Sequence, residues 1–201
     1  MTHFGEIVTI LLALTLGMPL PLLPAQLLWL NVVTDGFTGV ALAAEERHGD
    51  ELVAPPRRKG ARILTPSLIL LTGLTSAAMA IGTAALFRWA QHQDGLDHAR
   101  SVAFLSMTCF QLWNVFSMRS VRRSIFSLGW FSNRWVLGAV GVSLFLAALT
   151  MYLPALQPVF RLGALGPLEW FAALVVSSSV LLVVESYKVF VRKGMIPQEW
   201  T

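Results

Sequence analysis

The sequence predicts an all-α fold, a polytopic membrane bundle of six transmembrane helices with both termini in the cytoplasm. Three observations carry this prediction. Of 201 residues, 55% are hydrophobic and 13% are charged, against about 25% charged in a soluble domain, and mean hydropathy is +0.65. Apolar runs of roughly 17–25 residues, the length that crosses a bilayer core, recur along the chain. Basic residues gather in alternate connections between those runs, as membrane topology requires. The net charge of +4 therefore reports orientation in a lipid bilayer, and no nucleic-acid partner is expected.

The first span covers about 3–18. No basic segment precedes it, so it does not read as a secretory signal. It starts so close to the terminus that its first N–H groups would lie uncapped near the bilayer, which predicts a chain starting partway along an originally longer helix. The turn Gly17-Met18-Pro19-Leu20-Pro21 separates it from the second span, about 22–44, because those prolines cannot donate to a helix. The third span, about 65–90, opens on Thr65-Pro66, where proline suits a first helical turn. The fourth, fifth and sixth cover about 98–118, 134–152 and 167–191.

The connection 45–62 carries Arg47, Arg57, Arg58, Lys59 and Arg62, and 119–134 carries Arg119, Arg122, Arg123 and Arg134. With Lys188, Arg192 and Lys193 at the far end, they place these connections and both termini on the cytoplasmic side. The acidic and basic run Glu45–Glu51 reads as a solvated loop. Residues 1–201 thus form one membrane domain with no cytoplasmic catalytic domain. Trp89, Trp130, Trp135 and Trp170 fall near span ends, as an interfacial belt would. The lone Cys109 excludes an intrachain disulfide and reads as packing.

The chemistry concentrates inside the spans. Asn31, Thr34 and Asp35 are spaced i, i+3, i+4, which puts an amide, a hydroxyl and a carboxylate on one face of an α-helix. A carboxylate in hydrocarbon costs about 2.5–3.5 kcal/mol even on lenient scales, and hard cations take six to eight oxygen ligands. Gly36 follows directly and is expected to weaken the helix and free backbone carbonyls, as in interrupted transporter helices. Interhelical hydrogen bonding is the alternative role for Asn31 and Thr34. Glu6 is a second carboxylate on the neighbouring helix, and two such groups repel unless a cation or shared proton lies between them; the alternative is a terminal Glu that reaches water. Gln111 and Asn114 share a face of the fourth span, either as ligands or as a polar packing seam. Glu185 reads as the ion-pair partner of Lys188, and His3 is left without a role. No phosphate-cradling loop, Cys/His metal spacing or nucleophile elbow is present.

Phe4-Gly5-Glu6 and Pro24-Ala25-Gln26-Leu27-Leu28-Trp29-Leu30-Asn31-Val32-Val33-Thr34-Asp35-Gly36 resemble the fifth and sixth membrane helices of Ca²⁺-type (type II) P-type ATPases. Pro55-Pro56-Arg57 is similar to a signature in the following loop. Ala99–Phe104 through Phe110-Gln111-Leu112-Trp113-Asn114 looks like the eighth helix, and Ser132-Asn133-Arg134-Trp135 like the entry to the ninth. The resemblance covers essentially the whole chain and implies the C-terminal membrane domain of such a pump, helices five to ten. It implies cation ligation by Glu6, Asn31, Thr34 and Asp35, with Gln111 at the place of an eighth-helix ligand. His3 and Gln111 stand where two-ion pumps have an amide and a carboxylate, which implies one site around Asn31 and Asp35, for Ca²⁺ or Mn²⁺.

The phosphorylation motif, nucleotide-binding and actuator domains and fourth helix of that family are missing from the chain. ATP and Mg²⁺ would act only through domains outside it, and it is no ATPase by itself. The partner expected is the N-terminal part of such a pump, or an intact pump, in the plasma membrane. Two other readings stay open: a stand-alone binding or regulatory membrane protein that kept the fold, and a small ATP-independent channel or carrier.

Overall fold

A computed structural model describes residues 2–45, 65–120, 124–193 and 195. The basic residues at 47 and 57–62, the acidic run after Glu45, the Pro55-Pro56-Arg57 signature, Arg122 and Arg123 lie outside the described residues. Within them every regular element is a helix.

Helix α1 (Thr2–Thr15) ends in a glycine cap that begins the predicted turn. Gly17 has φ of +66°, and the amides of Gly17 and Met18 reach back to the carbonyls of Leu14 and Ala13 at 3.1 and 2.9 Å. That is a Schellman termination, which needs a residue free to take the left-handed conformation. The chain re-enters as α2 (Pro24–Trp29), passes through one π-helical turn (Leu30–Thr34) and continues as α3 (Asp35–Ala43). Helix α4 (Pro66–Asp94) starts as the sequence predicts, with Thr65 accepting from the Leu68 amide and proline in the first turn. Gly95 at φ of +84° turns the chain into α5 (Leu96–Met118). A short α6 (Ile125–Leu128) precedes α7 (Arg134–Tyr152). Asn133 caps α7 by accepting from the amides of Trp135 and Val136, leaving fewer orphan donors at its start. The short α8 (Gln157–Phe160), then α9 (Pro167–Ser177) and α10 (Ser179–Arg192), complete the order.

Helix α5 is the axis of the bundle. From Ala99 to Ser117 only Arg100 and Trp113 are not fully buried, and α1, α3, α4, α7, α9, α10 and the π turn all pack on it. Such burial tolerates polar residues only if they find partners. Ser106 and Thr108 donate to the carbonyls four residues back at 2.6 and 2.9 Å, a local solution common in membrane helices. Helix α4 approaches closely at Gly82, where an added Cβ would lie 2.5 Å from Phe110.

The polarity of the bundle is inverted outside. Phe4, Ile7, Leu11 and Leu14 on α1, Leu28, Val32 and Val40 on the second span, and Phe145 on α7 are exposed, an outer surface suited to hydrocarbon. Among the described residues three helical stretches are long and apolar enough to cross a membrane: Pro66–Asp94, Arg134–Tyr152 and Pro167–Arg192. The chain is an integral membrane protein by these elements. Of the other predicted spans, the first is the shorter apolar helix Thr2–Thr15, the second is divided by the π turn, and the fourth is the polar central helix.

Polar ties stitch one end of the bundle. The Arg119 guanidinium, whose side chain is 1% exposed, is held by both Glu45 carboxylate oxygens and by the Gly129 carbonyl. Asn133 also donates to Glu45 at 2.6 Å. Nearby, Lys188 donates to Glu185 and to the Ser117 carbonyl, both at 2.9 Å, and Glu185 accepts from the Ile125 amide. The predicted Glu185–Lys188 ion pair is therefore present, and it anchors α10 to the end of α5.

Candidate cation site

The helix carrying Asn31, Thr34 and Asp35 is interrupted, but by a different device from the one expected. Gly36 lies inside α3 with open space where its Cβ would be. The irregularity precedes it: the Asp35 amide donates to the Leu30 carbonyl, five residues back. A π turn inserts extra chain into a helix and recurs at functional sites. It also changes the geometry from which the shared face was inferred. In the widened turn Thr34 is buried, at 1% exposure, while Asn31 and Asp35 are half-buried.

Glu6 meets this turn from α1. It is 5% exposed, and Gln111 on α5, fully buried, donates to its Oε1 at 2.7 Å across 105 positions of sequence. Asn31 and Asp35 are further side chains that act on the Glu6 carboxylate. Asp35 in turn accepts from the Thr2 hydroxyl at 2.6 Å and lies 3.6 Å from His3 Nδ1. Glu6, Asn31, Asp35 and Gln111 are thus brought into one constellation, with Thr34 on the same turn.

The oxygens left over define what the place can hold. Asn31 Oδ1, Thr34 Oγ1, Gln111 Oε1 and Asn114 Oδ1 are buried without a hydrogen-bond partner. A buried acceptor left unpaired costs about 1–3 kcal/mol, so four along one set of contacting helices call for a donor or a cation. With two carboxylates, this is an oxygen-only set, suited to a hard divalent ion. Among the described residues no cluster of three or more His, Cys, Asp or Glu is placed to hold a metal. Cys109 is buried and faces an apolar cavity of about 170 Å³ with Leu112, Phe116 and Leu174, away from this chemistry.

Sequence reasoning missed three contacts. Thr2 and His3 reach Asp35, and Gln26 bridges to Phe160 at the end of α8, 134 positions away. The only available signal for the first pair was their place one turn before Glu6. For Gln26 it was an amide among otherwise apolar neighbours.

Comparison with known proteins gives the family of the chain. The family described as "Cation transporting ATPase, C-terminus" matches residues 19–190. A calcium-transporting ATPase of Bacillus subtilis is 33% identical over 179 residues, covering 88% of this chain and 20% of that protein. The human calcium-transporting ATPase type 2C member 1 is 34% identical over 93% of this chain and 20% of its own length. The probable cation-transporting ATPase F of Mycobacterium tuberculosis is 33% identical over 91% of this chain. The chain spans about a fifth of the length of the curated relatives it matches. A family match over most of the chain, joined to relatives a third identical across nearly all of it, makes this protein a member of the cation-transporting ATPases, corresponding to the C-terminal transmembrane part of a Ca²⁺-type P-type pump.

Proposed function

We propose that this chain is the cation-binding and translocating membrane module of a Ca²⁺- or Mn²⁺-type P-type ATPase, working either within a longer polypeptide or as a separately encoded C-terminal part. The observation that carries the proposal is the buried Glu6–Gln111 contact, set beside the unpartnered oxygens of Asn31 and Thr34. In this reading Asn31, Asp35, Thr34, Glu6 and Gln111 ligate the transported ion. Five side chains fall short of the six to eight oxygens Ca²⁺ takes, and the remainder come from the rest of the pump. Ca²⁺ is favoured by the names of the relatives, and Mn²⁺ is compatible with the same oxygen donors.

Six spans with both termini cytoplasmic form the module, in the plasma membrane. The second span crosses as α2, the π turn and α3. The π turn gives Asn31 and Asp35 a joint about which they can move relative to Glu6. When the cation leaves, Glu6 and Asp35 are left close together, and a shared proton relieves their repulsion. ATP and Mg²⁺ act through domains outside this chain.

The purified full chain, heated in detergent with Ca²⁺ or Mn²⁺, tests the proposal. Stabilisation is expected only in the millimolar range, and Asp35→Asn is expected to abolish it. Saturation at micromolar ion would show a complete site and favour a stand-alone binding protein. Ion flux through liposomes without ATP, abolished by Asp35→Asn, would favour a channel.

A further inference from the structure

We infer that Gln26 is a positioning residue for the cation site: it fixes the half-helix before the π turn to Phe160 at the end of α8 and so sets where Asn31 stands. The inference rests on the proposed cation-site reading and adds a residue to it. Gln26 is fully buried on a helix whose Pro24 and Leu28 are exposed. Both ends of its side chain are used. Oε1 accepts from the Leu23 amide at 2.9 Å, capping the helix start, and Nε2 donates to the Phe160 carbonyl at 2.9 Å. One turn later Trp29 packs edge-on against the Phe160 ring, with centroids 5.0 Å apart at 71°. A hydrogen bond and an aromatic contact from successive turns thus seize the same residue.

That residue belongs to a fixed body. The Gly163 amide donates to Ser101 Oγ at 2.8 Å, tying the loop after α8 to the first turns of α5. Arg100, beside Ser101, donates to the Leu20 carbonyl in the turn before α2. Helix α5 also carries Gln111, the partner of Glu6. A closed mechanical path therefore runs from Asn31 down the half-helix to Gln26 and Phe160, across to Ser101, and along α5 to Gln111 and Glu6. Beyond the π turn the chain is anchored at the other end of α5, α3 packing on α7 and α5 and Glu45 gripping Arg119. The π turn, which itself bears Asn31, is then a joint between two half-helices held at opposite ends of α5, and Gln26 is the bolt on the side that leads into Asn31. Gln26 is assigned a positioning role because both ends of its side chain are directed to the Leu23 amide and the Phe160 carbonyl.

Hydrogen exchange on the full chain in lipid nanodiscs, read by peptide mass, separates local positioning from general support. Gln26→Leu removes both bonds; Gln26→Glu keeps an acceptor for the Leu23 amide but, ionised, offers Phe160 no donor. In both variants, amides of Leu30–Asp35 are expected to exchange about tenfold faster, the equivalent of one net hydrogen bond, while α4 and α5 change by less than about twofold. Unchanged exchange at Leu30–Asp35, or equal acceleration of every helix, would overturn the inference. A second arm adds Ca²⁺: the wild-type π turn is expected to be protected, Asp35→Asn unprotected, and Gln26→Glu to need about tenfold more ion, as loss of a supporting partner typically costs. Failure of Ca²⁺ to protect the wild type while the Gln26 exchange pattern holds would count against the cation-site reading alone. Protection of Gln26→Glu at the wild-type concentration would count against the Gln26 assignment.

Discussion

Gln111 holds the Glu6 carboxylate by one buried hydrogen bond, and the consequence is testable residue by residue. Gln111→Leu removes that donor from a buried acceptor, so the chain is expected to lose about 1–3 kcal/mol. At about 2–4 °C per kcal/mol for a chain of this size, thermal unfolding would detect it. Glu6→Gln keeps an oxygen for Gln111 and is expected to unfold near the wild-type temperature while losing Ca²⁺ stabilisation. Equal destabilisation by both changes would mean that Glu6 is packing rather than chemistry. Glu6 and Asp35 were legible as candidates because a carboxylate inside an apolar run demands a reason. The meeting of Glu6 with Gln111, 105 positions away, came from the family resemblance, since nothing local encodes it. The Thr2 and His3 contacts to Asp35 had only those residues' place one turn before Glu6 as a signal.

At the scale of elements, the π turn is the feature that matters most. Gly36→Ala places a methyl group in open space, so it is expected to leave the site intact and to stabilise by about 0.5–1 kcal/mol through helix propensity. Deleting Val33 is expected to restore regular helical register and to abolish Ca²⁺ stabilisation while circular dichroism stays helical. Had Gly36 been the break, these two outcomes would be exchanged. Gly82→Ala, by contrast, drives a Cβ against Phe110 and Val176 and is expected to cost about 1–3 kcal/mol by overpacking. Element ends read well from the sequence where they rest on local chemistry: Gly17 closing α1, Thr65-Pro66 opening α4. The π turn did not, because Leu30–Thr34 has no side-chain pattern that separates it from an α-helix.

Across the whole molecule, the composition was enough to predict an all-helical membrane bundle, yet not which helix would be its axis. The polar residues of α5 weaken its hydropathy because neighbouring helices, rather than lipid, surround it. The same burial makes the Glu45–Arg119 tie a determinant of assembly. Glu45→Ala strands a guanidinium that is almost wholly buried, and a cost of about 3–5 kcal/mol is expected, read by chemical denaturation. The double change Glu45→Met with Arg119→Met is expected to recover most of it.

The central claim concerns a pump, so the most direct test restores one. The matching C-terminal fifth of the Bacillus subtilis calcium-transporting ATPase would be replaced by this chain, and Ca²⁺-dependent phosphorylation by ATP measured in membranes, with and without Asp35→Asn. The proposal predicts a Ca²⁺-dependent phosphoenzyme in the first chimera, and a loss of apparent Ca²⁺ affinity of more than about tenfold in the second, as removal of an anionic ligand would produce. Equal Ca²⁺ dependence in both chimeras, at matched expression, would contradict it.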